Sequence, residues 1–392
     1  MALIVTLAIQ ALVSMASLTI PVIAPEAALA TGHPASLAGV FIGIVYAGAM
    51  ASSLISGDLI ERFGPIRLSQ ICLLLSTAGL MLAAQGGLWQ IGAGAILLGF
   101  GYGPVTPASS YILIRSTPPT RMALTFSLKQ TGVPIGGAAA GVLVPMAAAL
   151  SDWSTAVLMV AAMCAIMAVL SEPLRSSLDA GRTKTHHQSG LAALWSPFAL
   201  IFSHKALRDI ALCSYFFGAV QLCVTTYLVL WLTQSYGLDL VTAGILLAFA
   251  QGGGVVGRLL WGWLADRFVP PRRMLSNLGF IIGACIVLFA IIGSDWPLIV
   301  VALVAIVAGA TAIGWNGVYL AEVARLAPAG LAGKVTGGTL FFTYFGVVTG
   351  PPSFAAILTH TGSFPAAFMA IGSVILTVAL FLGLTRPRLS DL

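Results

Sequence analysis

Two cations, Lys129 and Arg258, stand inside long apolar segments of a 392-residue chain whose other 16 Lys and Arg residues fall between such segments. A charged side chain at the centre of a membrane helix costs about 2.5–3.5 kcal/mol on insertion scales, and such residues ordinarily face a water-filled path. Lys129 lies eight positions beyond Arg121 and Arg258 eight before Asp266, so each is roughly 12 Å inward at the helical rise of 1.5 Å per residue. Snorkelling of the long stems toward the head groups is the competing reading. No Asp or Glu lies deep in any apolar segment; Glu26 and Glu322 come nearest, at segment ends. Two cations without a carboxylate suit a ligand that brings its own negative charge. Arg can fork onto a carboxylate through two N–H groups while Lys acts as a point charge, and a small organic acid fits both.

The elements that must position these cations follow from composition. The chain is 59% hydrophobic and 8% charged, with a mean hydropathy of +1.02, and its apolar runs of about 18–25 residues have the length that spans a bilayer as helix. The predicted fold class is an all-α membrane protein of twelve helices, at 2–24, 37–57, 68–86, 91–113, 124–148, 154–171, 209–233, 240–262, 274–293, 297–320, 335–358 and 365–384. The domains expected are two six-helix halves, 1–171 and 209–392, joined by a linker at 172–208 without sustained apolar period. That linker carries Arg175, Arg182, Lys184, His186, His187, Lys205 and Arg208. A metal site at the paired histidines is the sharper reading, but no Cys or carboxylate stands at helical spacing, so a solvated polar linker is the expectation. The five cysteines all fall within predicted spans without a CxxC pair, which suggests neither a disulfide framework nor a metal site.

Orientation follows from the basic residues. Arg62 and Arg67 follow span 2, Arg115 and Arg121 span 4, the linker cluster span 6, Arg267, Arg272 and Arg273 span 8, Arg325 and Lys334 span 10, and Arg386 and Arg388 span 12. The opposite gaps hold Glu26, Asp152, Asp239 and Asp295 and no Lys or Arg. The positive-inside rule then makes both termini cytoplasmic in a multi-pass protein of the cell inner membrane. The net charge of +6 is a topology signal and implies no nucleic-acid partner. An apolar opening followed by Ala28-Leu29-Ala30 could pass for a cleaved signal peptide; it lacks a basic leading region and its apolar stretch is long, so it is read as span 1.

The halves repeat one another at an offset near 205–214 residues. Gly57-Asp58-Leu59-Ile60-Glu61-Arg62-Phe63-Gly64-Pro65-Ile66-Arg67 matches Gly262-Trp263-Leu264-Ala265-Asp266-Arg267-Phe268-Val269-Pro270-Pro271-Arg272. Arg115-Ser116-Thr117-Pro118 matches Arg325-Leu326-Ala327-Pro328, and Asp152-Trp153 matches Ser363-Phe364. A parallel six-plus-six repeat is a transporter architecture, with substrate held near the midplane. At these residues the chain resembles the major facilitator superfamily along its whole length. The family's loop motif G-x-L-x-D-R-x-G-R-[RK] is present twice in degenerate form, with Glu61 in place of the Asp in the first copy and Val269 and Pro270 departing in the second. The resemblance implies that Glu61, Arg62, Asp266 and Arg267 are gate residues; topogenic charge with ordinary helix-end capping is the plainer alternative.

Two further comparisons within the family narrow the expectation. Many of its proton-coupled antiporters carry an Arg four residues before a Gly in span 4, and here Ala95 precedes Gly99 at that spacing. The run Gly132-Val133-Pro134-Ile135-Gly136-Gly137, followed by Gly141, loosely resembles the antiporters' G-P-x-x-G-G signature, though tight packing of small residues and a Pro kink explain it equally well. Monocarboxylate and oxalate branches carry a span-8 Arg, in the monocarboxylate branch four residues before the loop-motif Gly, which is where Arg258 stands relative to Gly262. The branch's Lys in span 1 has no counterpart, because span 1 offers only Gln10 and hydroxyl residues; Lys129 could supply that charge from another helix. In the family spans 5 and 8 meet across the halves and spans 1, 4, 7 and 10 line the cavity. The resemblance therefore implies a pocket of Lys129, Arg258, Tyr111, Gln221, Trp315, Asn316 and Tyr319, with Gln130 beside Lys129 and Gln251 two turns from Arg258. Each neutral residue could equally be an interhelical contact.

No catalytic reading survives. The chain has no P-loop, no metal cluster and no Ser/His/Asp set able to converge, since His33 and His360 fall on the outer side and the other histidines on the inner. No enzyme activity, metal or cofactor is expected. The expectation is a monomeric secondary transporter in the lipid bilayer, moving a small anionic substrate, a carboxylate, by alternating access with protons or a counter-anion. The alternative is a proton-coupled drug or metabolite efflux antiporter, which should need a titratable carboxylate in the path, Glu26 being the candidate. A sensor on a transport fold is a third reading, without an output module in its loops to support it.

Overall fold

The computed structural model describes residues 2–116, 128–179, 200–293, 295–326 and 332–385. Arg121, Arg182, Lys184, His186, His187, Arg386 and Arg388 lie outside the described residues, as do the side chains of Glu61 and Asp266. Among the described residues twelve helices are long and apolar enough to cross a membrane: α1 Ala2–Val22, α2 Ala35–Ser53, α3 Pro65–Ala83, α4 Leu88–Leu113, α5 Leu128–Leu150, α6 Trp153–Leu170, α7 Lys205–Ser235, α8 Leu240–Ala265, α9 Pro271–Ile291, α10 Leu298–Val323, α11 Gly338–Thr361 and α12 Phe364–Leu384. The physical reason is that hydrocarbon offers no partner to backbone N–H and C=O groups, so a spanning segment must satisfy them within itself. Two of the twelve are interrupted at matching places in the repeat. Helix α4 breaks at Gly103–Pro104, between helical stretches Leu88–Tyr102 and Val105–Ser116, where Pro104 has no N–H to donate. Helix α10 breaks at Ile313–Trp315, between Leu298–Ala312 and Asn316–Leu326.

The chain forms two compact units. The first comprises α1 to α6 together with Thr225–Gln251, the end of α7 and the start of α8. Within it α1 packs chiefly on α5, and α4 on both α2 and α3. Small residues set the α1–α5 approach. A β-carbon at Gly132 would stand 2.9 Å from the Leu7 carbonyl oxygen, one at Gly136 would collide with the Ala11 carbonyl, and Ser14 Oγ donates to the Val133 carbonyl at 3.0 Å. The Thr225–Gln251 portion is tied in by the Tyr227 hydroxyl, which donates to the Ser36 carbonyl at 3.0 Å, and by the meeting of Gly244 with Gly141 on α5.

The first residues of the 172–208 linker are not solvated coil. They fold as a short helix, Glu172–Leu178, which docks on the start of α3. Asp179 is buried, and its two carboxylate oxygens accept from the backbone N–H groups of Ile66 at 2.7 Å and Arg67 at 3.2 Å. With Pro65 as the first residue of α3, these are N2 and N3, so Asp179 caps the helix from 113 positions away. Gly64, at φ +89°, makes room: a β-carbon there would sit 2.5 Å from the Asp179 carboxyl carbon. Glu172 accepts from Gln70 at 2.8 Å and from Arg175 at 3.1 Å, which holds its carboxyl below the usual range, with Arg67 adding a 3.4 Å contact.

The second unit comprises residues 200–224 and the described residues from Gly252 onward. Helix α9 packs most extensively on α12 and next on α10. Arg272, aligned in the repeat with Arg67, is buried and donates to Asp209 at 3.1 Å, the Thr385 carbonyl at 3.1 Å and Thr385 Oγ1 at 2.7 Å. The repeated Asp152 and Ser363 are revealed as caps: each accepts from the backbone N–H three residues on, opening α6 and α12.

Removing the remote cap should weaken the first unit. Asp179→Ala is expected to cost about 1 kcal/mol and lower the unfolding midpoint of the detergent-solubilised protein, whereas Asp179→Asn keeps most of the stability. An unchanged midpoint for the alanine variant would refute the cap.

Candidate functional site

Lys129 stands one turn before Gly132 on the flush α1–α5 crossing, and the crossing decides its fate. Its side chain is 1% exposed, so it does not snorkel. The ammonium donates to Gln10 Oε1 on α1 at 2.9 Å and to Thr106 Oγ1 on α4 at 3.2 Å, and the Thr106 hydroxyl donates to the same Gln10 oxygen at 3.1 Å. Thr106 reaches this point because α4 restarts at Val105, just after its break. Since Gln10 Oε1 serves both donors, its amide nitrogen points elsewhere, and among the described residues Gln10 Nε2 is buried with no hydrogen-bond partner. The first unit thus holds an ammonium and an amide N–H group side by side, the latter without an acceptor. Gln10 and Thr106 were not among the candidate residues of the sequence. The available signal was that Gln10 is the sole amide in span 1.

In the second unit the polar candidates gather around the break in α10. Interruption of the helix at Gly314–Trp315 leaves the Ile313 carbonyl to accept from Arg258 Nε at 3.2 Å and from Asn316 Nδ2 at 3.4 Å. Gln221 Oε1 on α7 accepts from Trp315 Nε1 at 3.0 Å and from Asn316 Nδ2 at 3.3 Å. The Trp315 ring lies edge-on to Tyr319 with centroids 5.2 Å apart. Arg258 comes close because α8 and α10 touch backbone to backbone, with Gly257 against Ala310 and Gly314 against Gly257. Arg258, Gln221, Trp315, Asn316 and Tyr319 therefore form one connected group.

Tyr111 and Gln130 are half-buried in the first unit. Gln251, also in that unit, is buried with its amide against Gly137 of α5. Of the gate candidates, Arg62 and Arg267 are exposed, their guanidinium groups lying 5.2 Å from the Phe63 ring centre and 5.8 Å from that of Trp263. Glu26 is exposed on the short helix Ala24–Thr31. Glu322 is fully buried and takes a two-pronged pair from Arg325, at 2.7 and 2.8 Å.

A broken helix with polar side chains beside the break, present once in each unit, is a feature that secondary transporters use to hold substrate. The family model described as the Major Facilitator Superfamily matches residues 5–351. The chain belongs to the major facilitator superfamily. Members similar to it include an uncharacterized MFS-type transporter of Mycobacterium tuberculosis, 24% identical over 89% of this chain and 76% of the relative. A hexuronate transporter of Bacillus subtilis is 23% identical, covering 71% of this chain and 68% of its own. A gentisate transporter of Corynebacterium glutamicum is 23% identical, covering 91% and 79%. The crystal structure of the peptide transporter POT superposes with a TM-score of 0.80 at 16% identity, over 97% of this chain and 93% of that one, and shows the shared fold. The protein is thus a transporter of this superfamily and not an enzyme.

The Lys129–Gln10 contact makes a prediction separable from transport. Gln10→Leu leaves a buried ammonium short of an acceptor and should cost roughly 1–3 kcal/mol, whereas replacing both partners by apolar groups of similar shape is close to neutral. The double variant Gln10→Leu with Lys129→Met should therefore unfold in detergent at a higher temperature than Gln10→Leu alone. A midpoint equal to the sum of the two single losses would show the pair to be uncoupled.

Proposed function

We propose that this transporter moves small organic anions, carboxylates in particular, across the inner membrane by alternating access, coupled to proton symport or exchange for another anion, with both termini in the cytoplasm. The observation that carries the reading is the donor pair of the first unit: a buried ammonium at Lys129 beside a Gln10 N–H group that has no acceptor among the described residues. A carboxylate supplies two oxygens, one to balance charge and one to accept from the amide, and charge-assisted hydrogen bonds of this kind are about twice as strong as neutral ones. Arg258 gives the second unit a cation of its own with planar, forked geometry. The names of the hexuronate and gentisate relatives, both organic acids, point the same way. Neutral polar groups at Gln221, Asn316, Trp315 and Tyr319 then select among acids by shape and hydrogen bonding, while Glu61, Arg62, Asp266 and Arg267 act in closing the cytoplasmic side.

Uptake into proteoliposomes tests this with a radiolabelled panel of aliphatic monocarboxylates, hydroxybenzoates and hexuronates. Saturable uptake of at least one acid is expected, falling tenfold or more in Lys129→Gln and in Arg258→Gln, since loss of a buried charged contact of about 1.5–3 kcal/mol corresponds to that factor. Anion uptake unchanged in both variants overturns the proposal. Saturable transport of lipophilic cations that is lost in Glu26→Gln would establish drug efflux instead.

A further inference from the structure

The Arg272 node of the second unit has a second feature beside it. Helices α7 and α12 diverge from the node to leave a crevice of about 410 Å³, lined on one wall by Asp209, Leu212, Cys213 and Phe216 and on the other by Ser373, Val374, Thr377, Val378 and Phe381. On α7 these residues continue a single helical stripe that begins one turn earlier at Lys205, and on α12 the stripe Ser373, Thr377, Phe381 ends one turn later at Thr385. Both stripes therefore converge on the Asp209–Arg272–Thr385 cluster. The crevice walls are apolar in effect, because the two hydroxyls within them are occupied along their own helix: Ser373 donates to the Met369 carbonyl and Thr377 to the Ser373 carbonyl. Leu212, Val374 and Phe381 are nonetheless 48%, 42% and 39% exposed, leaving the crevice open along its length.

The node is charged and incompletely satisfied. Arg272 is 7% exposed; its Nε and Nη2 are held by Thr385 and Asp209, while Nη1 is buried without an acceptor among the described residues. Asp209 cancels one positive charge, but Lys205, Arg208 and Arg273 stand exposed at the same end of the unit. An apolar trough running into the membrane beside the exposed cations Lys205, Arg208 and Arg273 has the polarity of one molecule in particular.

We infer that this crevice is a seat for an anionic glycerophospholipid of the surrounding bilayer, with an acyl chain between α7 and α12 and the phosphate at Lys205, the exposed cation one turn before Asp209 on the α7 wall. A zwitterionic lipid would gain the trough but not the charge, so the site should discriminate by head group. The inference is independent of what the protein transports, since it involves neither Lys129 nor the α10 break.

Native mass spectrometry tests it on the full chain reconstituted with equal phosphatidylglycerol and phosphatidylcholine, then released from mild detergent. Phosphatidylglycerol adducts should exceed phosphatidylcholine adducts about fivefold, the ratio expected from a single basic residue near an anionic surface. Lys205→Gln should reduce that preference, and Thr377→Trp, which fills the trough from an exposed position, should remove bound lipid of both kinds. Equal retention of the two lipids by the parent overturns the head-group assignment. Adducts unaffected by Thr377→Trp overturn the crevice itself, as does a protein dimer that this variant abolishes, because a second copy would then be the occupant.

Discussion

Everything about the first unit is arranged around the problem of keeping an ammonium inside hydrocarbon. The cost of taking a lone charge out of water is several kcal/mol even after relaxation, and Lys129, at 1% exposure, has given up water almost entirely. Two neutral oxygens, those of Gln10 and Thr106, offset part of that cost. Each requires its own backbone feature. Gln10 is within reach because α1 and α5 approach without side chains between them at Gly132 and Gly136. Thr106 is within reach because α4 stops at Tyr102 and restarts one residue before it, at Val105. A bulkier residue at the crossing or an unbroken α4 would leave the ammonium with less than it needs.

The second unit meets a related problem in reverse. There the backbone is the deficient partner: breaking α10 exposes the Ile313 carbonyl in the bilayer interior, where an unsatisfied polar group is costly. Arg258 and Asn316 supply the donors. A broken helix and a membrane cation therefore occur together in each half, but the cation's role differs. Lys129 donates to two neutral side chains, whereas Arg258 donates through Nε to the carbonyl that the break leaves over. In both halves the glycine contacts that bring the cation in are backbone-to-backbone, so the geometry of the charged group is set by helix packing and not by flexible stems.

What could be read from the residues alone was whatever has a long period or a rare sign. Twelve spans were legible because an apolar run of about 20 residues has few other uses, and Lys129 and Arg258 were legible because charge inside such runs is exceptional. The break in α4 was not, since Gly103-Pro104 sits in a span already rich in glycine and could as well have been a kink. Gln10 and Thr106 were illegible for a different reason: amides and hydroxyls are tolerated in membrane helices at many positions, so only the crossing of three helices singles these two out. The start of the linker failed to register as structure because its burial depends on α3. A seven-residue polar helix has no apolar face to announce it, and Asp179 becomes informative only once two unpaired N–H groups of α3 are seen to face it.

The repeated loop motif separates what the halves inherited from what each has made of it. Arg67 and Arg272 occupy the same place in the repeat, in the first turn of α3 and α9, and reach residues just past the ends of α6 and α12. Arg67 meets Glu172 at 3.4 Å with both side chains well exposed, and exposed pairs of this kind contribute about 0–1 kcal/mol. Arg272 meets Asp209 with both side chains about nine-tenths buried, where losing either partner leaves an uncompensated charge and costs about 3–5 kcal/mol. The first unit can manage with the weaker pair because Asp179 already fastens the start of α3 through two backbone hydrogen bonds. In the second unit Pro270 stands at the position of the cap, with no side-chain acceptor to offer, and the guanidinium must do the fastening instead. The same motif position is thus a peripheral contact in one half and a structural anchor in the other, and the difference follows from which half found a carboxylate for its helix start.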